Sequence, residues 1–174
     1  MNPTDLFSGL EAKAKLDTAI VAVLRRSAAY PPGQYPPAFP FIEPSVAGLS
    51  EWRRSATYLA ASCWALAARR EQGKPLTLPR AVHDLQVRSK NTSKNIEARF
   101  TTLLDSDSDE LQWRLRHLTS QLAAAAIAVD WPALLEDLWW WTREDRSVQT
   151  QWARQFWSPS SIRDSSSADA HLPA

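Results

Sequence analysis

The chain has 174 residues, with 20 Lys or Arg against 19 Asp or Glu and a net charge of +1. It is therefore neither a polycationic tail nor an acidic solvating segment, and it is long enough for one domain or two small ones with a core that needs no disulfide. A single cysteine, Cys63, excludes an internal bridge, and four glycines leave no Gly-rich phosphate loop. No basic segment followed by an apolar run opens the chain, and no apolar run is long enough to span a bilayer. A cytoplasmic protein without membrane contact is expected.

Residues 6–29 read as one amphipathic helix, with Leu16, Ile20, Val23 and Leu24 on the buried stripe and Arg25 and Arg26 at its end. The proline-rich segment 30–44, YPPGQYPPAFPFIEP, reads as a strapped-down loop whose rings cover a neighbouring surface. Ser50 caps a long helix with Trp52, Leu59, Cys63 and Leu66 near one face, and Gly73 and Pro75 mark its stop. Thr77 opens a further helix running to Arg88, with Pro79 tolerated in the first turn. RSKNTSKN, residues 88–95, combines three cations with small hydrogen-bonding residues. A helix over 95–104 then turns Ile96, Phe100 and Leu103 inward. Residues 50–104 carry ten Lys or Arg against four Asp or Glu, a net of +6 in about a third of the chain.

The acidic run DSDSDE, 105–110, lacks the glycine and the distant glutamate of a calcium loop, so it is expected to cap the next helix. That helix spans 111–126, and its stripe of Leu111, Leu115, Leu118 and Leu122 is expected to face a C-terminal helical hairpin. In the hairpin, Asp130 caps the first helix and Pro132 fits its first turn. Leu134, Leu135, Leu138 and Trp141 face inward, while Glu136 and Asp137 take a solvated face. Ser147 caps the second helix, which buries Val148, Trp152 and Phe156 and points Arg154 elsewhere. Three consecutive tryptophans cannot share one core, so Trp139 and Trp140 are the ones to find at a surface. Residues 158–174 read as a disordered tail. With no alternating strand pattern, the expected fold is all-α, two packed helical bundles with short connections. Its domains are placed at 1–104 and 105–157.

Little of this supports catalysis. His83 and Asp84 are adjacent and point about 100° apart on a helix, His117 has no carboxylate one turn on, and His171 is in the tail. No paired cysteines or HExxH motif are present, so no enzyme activity, metal site or cofactor is expected. Nucleic-acid binding fits better, because arginines recur on several helices where they can meet successive phosphates. The candidates are Arg25, Arg26, Arg53, Arg54, Lys90, Lys94, Arg99, Arg114, Arg116, Arg143 and Arg146. Each alone reads more simply as a solvated helix end or a surface ion pair.

Several segments carry a resemblance in their order and spacing. They are LRRS at 24–27, YPPGQYPPAFPFIEP at 30–44, EARFTTLLDSDSDELQWRLRHL at 97–118, VDWPALLEDLWWW at 129–141 and VQTQWARQFW at 148–157. Together they resemble the CasB-type small subunit of the type I-E CRISPR surveillance complex, Cascade. The resemblance implies an all-helical, non-catalytic subunit, two copies of which lie head to tail beside a filament of backbone subunits that carries the guide RNA, with the large subunit as a further partner. It also implies a basic face that holds the target and displaced DNA strands of the R-loop in antiviral defence. Arg25, Arg26, Arg53 or Arg54, Arg116, Arg143 and Arg146 match basic positions of that family. Lys90, Lys94 and Arg99 are inferred from charge. If the arginines instead pair with acids of neighbouring subunits, the chain is a purely structural assembly subunit.

Overall fold

The computed structural model describes residues 1–89 and 92–158. Lys90 and the tail from residue 159 onward lie outside the described residues. Nine α-helices are found among the described residues, in the order α1 (Pro3–Leu16), α2 (Ala19–Ser27), α3 (Phe39–Val46), α4 (Glu51–Ala67), α5 (Leu78–Arg88), α6 (Ser93–Leu104), α7 (Ser108–Ala124), α8 (Trp131–Trp139) and α9 (Ser147–Trp157). Two short strands, β1 (Gln72–Leu76) and β2 (Ile127–Val129), complete them.

The starts of several helices follow from capping chemistry. Asn2, Ser50, Asp107 and Asp130 each accept from backbone amides of the turn they precede, at α1, α4, α7 and α8. Pro3, Pro79 and Pro132 sit in first turns, where the missing N–H leaves no bond unmade.

α4 is the hub. Ala56 to Ala65 are buried around its whole circumference, because α2, α3, α7 and α8 all pack on it. The small side chains of Ala56, Ala60, Ala61 and Ala65 let those neighbours approach closely. A second group forms where α5 meets α6 and α9, stacking Phe100 on Phe156 at 4.4 Å between ring centroids. The predominantly helical fold expected from the sequence is thus observed, with one small two-stranded sheet added to it.

Five local expectations need correction. The helix expected over 6–29 breaks at Asp17, whose Oδ1 accepts from the Ala19 amide and starts α2; Leu16, expected on the buried stripe, is 90 % exposed. The second half of the proline-rich loop is helical, a 3₁₀ turn at Pro36–Ala38 running into α3, while Tyr30 and Tyr35 stack at 4.8 Å as a strapped-down loop should. Gly73 and Pro75 do not stop α4, which ends at Ala67. They lie in β1, which pairs in parallel with β2, Gln72 opposite Ile127 and Leu76 opposite Val129. The leucine stripe of α7 packs chiefly on α4 rather than on the C-terminal hairpin. Ser147 does not cap α9: Arg146 precedes that helix in the left-handed region (φ 49°), and the Asp145 carboxylate accepts from the Ser147 amide at 3.0 Å.

Candidate nucleic-acid interface

The junction of α4 with α8 sets the geometry. The Trp52 indole N–H donates to the Leu138 carbonyl at 2.9 Å and pins the first turn of α4 against the last turn of α8. The next residue, Arg53, then lies with its guanidinium carbon 5.4 Å from the Trp139 ring centroid and 4.5 Å from that of Trp140. Trp139 is held from below by a 3.3 Å bond from its Nε1 to Thr57 Oγ1. Trp140 stays 47 % exposed, and Arg143 approaches the same ring at 5.6 Å. One surface indole thus organises two guanidiniums, each attracted by the negative face of the ring.

Arg143 is further held by a fork onto Asp145, Nη2 to Oδ2 at 2.8 Å and Nε to Oδ1 at 3.3 Å. The Ser147 amide, with Arg143 beside it, keeps the Asp145 carboxyl below its usual range. Arg146 donates to the Leu104 carbonyl at 2.6 Å and lies 3.6 Å from Asp105, joining the α9 entry to the end of α6.

The other candidates divide by burial and partner. Arg25 and Arg26 end α2 at the surface; Arg25 Nε donates to the Ala65 carbonyl at 3.1 Å, while Arg26 makes no ion pair with a described residue. Arg54 is paired with Glu43, which also accepts from Tyr58 Oη at 2.7 Å; the Arg54 bond, then that of Tyr58, pulls the Glu43 carboxyl below its usual value. Arg114 pairs with Glu110 one turn back at 3.0 Å. Lys94 and Arg99 are exposed on α6 and free of ion pairs with described residues.

Arg116 is the exception, being only 6 % exposed. Its Nη2 donates to the Tyr30 carbonyl at 2.9 Å, its guanidinium lies 5.2 Å from the Trp113 ring, and burial lowers its pKa. It ties the proline-rich loop to α7 and presents no charge to a strand. Its neighbour Cys63 is buried, and burial pushes that thiol up to about 11, so it is inert at neutral pH.

Asp137, read as part of a solvated face, is partly buried. It accepts from Trp152 Nε1 at 2.6 Å, and burial raises its pKa. His83 packs edge-on against Phe156 at 5.8 Å. No group of three His, Cys, Asp or Glu among the described residues could hold a metal ion, and no helix there is long and apolar enough to cross a membrane.

Sequence reasoning singled out Arg53 and Arg143, and Trp139 and Trp140 as surface indoles, but not the contacts that join them. Trp113 was legible: position 113 falls off the Leu111, Leu115, Leu118 stripe, so a helical wheel turns it outward, and it is 53 % exposed.

The chain matches the family model described as CRISPR-associated protein Cse2 over residues 21–157. It is 38 % identical over 144 residues to a CRISPR-associated protein Cse2 of Thermus thermophilus, covering 80 % of this chain and 79 % of the relative. The crystal structure of CasB from Thermus thermophilus is similar at a TM-score of 0.76 and 35 % identity, over 90 % of this chain and 99 % of that one. A chain of a CRISPR RNA-guided surveillance complex shares the fold, with a TM-score of 0.73 at 20 % identity, over 87 % of this chain and 92 % of the other.

Proposed function

Since the chain belongs to the CRISPR-associated Cse2 family, we propose that it works as the non-catalytic small subunit of a type I-E Cascade surveillance complex. In that role it stabilises the R-loop by holding the backbones of the target and displaced strands. Its partners are the backbone and large subunits, the guide RNA and a second copy of itself arranged head to tail, in the cytoplasm.

The observation that carries this reading is the stack of Arg53 and Arg143 on Trp140. It displays two guanidiniums on one rigid surface, and no base-edge-reading element is needed to bind phosphates there. R-loop opening exchanges DNA pairs for RNA–DNA pairs at near balance in Cas9-type effectors. By analogy, a few backbone contacts suffice to tip it here.

The test is R-loop lifetime in the reconstituted complex as a function of salt, for Arg53→Glu with Arg143→Glu and for Arg25→Glu with Arg26→Glu. Shorter lifetimes with intact subunit composition are expected, and a salt slope reduced by about 0.7–0.9 per lost phosphate contact.

A second reading, a structural assembly subunit without strand contacts, is favoured by the ion pairs of Arg54, Arg114, Arg143 and Arg146. Wild-type lifetimes and slopes in both double variants would leave that reading standing and remove the first.

A further inference from the structure

Away from the Trp140 stack, the outer faces of α6 and α7 enclose a groove of about 480 Å³, within the roughly 300–1,000 Å³ of small-ligand sites. Trp113 and Leu118 line it together with Arg99, Arg114, His117 and Glu110. More than half of the Trp113 side chain is open to solvent, an unusual cost for an indole unless something covers it. The ring is backed by the buried Arg116 guanidinium at 5.2 Å, which fixes it as a platform. Glu110 is neutralised by Arg114 within the groove, leaving Arg99 as its arginine without an ion pair to a described residue.

Arg99 also lines a second groove, of about 390 Å³, farther along the same α6/α7 seam, where α6 faces Gln121 and Ala124 of α7. There it meets the small polar residues Ser89, Thr92 and Asn95 of the basic segment. A track thus runs from an aromatic platform across an arginine to a row of short hydrogen-bonding side chains. Phosphates are spaced with bases between them, and every base has a stackable face, so an unpaired nucleotide strand matches this order of groups whatever its sequence.

We propose that the α6/α7 groove is a base-stacking subsite for one unpaired nucleotide of a bound strand, with Trp113 as the platform and Arg99 holding the adjoining phosphate. This rests on the strand-holding reading and adds a contact of a different kind, to a base face instead of a backbone alone. Trp113→Ala is expected to shorten the lifetime of the R-loop complex roughly 5- to 150-fold, the worth of one base–aromatic stack, and Trp113→Phe to restore most of it. Abasic sites across the displaced strand should abolish the difference between wild type and Trp113→Ala.

The direct test places 5-iodo-2′-deoxyuridine at successive positions of the displaced and target strands in the full complex and maps photo-crosslinks on this chain. A crosslink to Trp113 from a narrow window of positions supports the subsite. No crosslink at Trp113, an Ala variant as long-lived as wild type, or a loss that persists on abasic strands each overturns it. So does a crosslink joining Trp113 to another polypeptide, which would make the groove a subunit interface. Failure of the strand-holding reading itself is read separately, from the Arg53 and Arg143 variants.

Discussion

Trp140 and Trp141 are neighbours in sequence and opposites in physical role. Trp141 is buried, donates from Nε1 to the Ser106 carbonyl at 3.3 Å, and meets Trp152 edge-on at 5.0 Å between centroids. Trp152 in turn is fully enclosed and donates to Asp137. Trp140 lies outside, its ring faces engaged by two guanidiniums rather than by other rings. Both lie in the tight turn that ends α8, where the Trp140 and Trp141 amides bond back to the Asp137 and Leu138 carbonyls, so one run of identical residues serves two surfaces. An aromatic residue therefore reports core or interface only through what touches it.

The sharpest way to break that contrast is Trp152→Ala. It removes a fully enclosed ring and should destabilise the protein by about 3–5 kcal/mol, read as a large fall in Tm; an unchanged Tm would place the ring outside the core. Trp140→Ala gives up only exposed cation–π contacts, worth about 0.5–1 kcal/mol each. It should leave Tm within a few degrees of wild type while shortening R-loop lifetimes, because Arg53 and Arg143 lose their common support. Unchanged lifetimes would show that the arginines hold their positions without the ring.

The smallest effect is expected from Asp137→Asn. Burial raises the Asp137 pKa, with the Trp152 bond opposing. A carboxyl raised in the fold contributes its stabilisation below the unfolded value, about 3.9, and loses it as pH climbs through the folded value. At neutral pH the ionised group thus costs stability, and the amide still accepts from Trp152. The variant should melt slightly above wild type at pH 7, with the gap closing toward pH 4. A gap independent of pH would remove ionisation as its source.

Helix starts were legible because their causes are local: Ser50, Asp107 and Asp130 cap within three residues of themselves, and proline tolerance follows from position. What escaped notice depends on distant partners. Arg116 looked like a displayed cation, yet it is buried by a carbonyl 86 residues away. β1 carries Gly73 and Pro75 and is mostly exposed, so nothing in its composition marks a strand; it exists because β2 lies beside it. The Arg53 site required knowing that Trp52 reaches Leu138. The Asp17 break was local and could have been read, since aspartate readily accepts from the amide two residues on.

The parallel β1–β2 pair brings together segments about 55 residues apart, with α5, α6 and α7 between them. Closing so long a loop costs entropy that four exposed residues, one half-buried residue and three buried ones cannot offset alone. The pairing must wait until the intervening helices have collapsed, so it belongs to the late, post-transition-state part of folding. Substitutions at Leu76 or Val129 should accordingly leave the folding rate nearly unchanged and speed unfolding, making this small sheet a determinant of how long the folded subunit lasts.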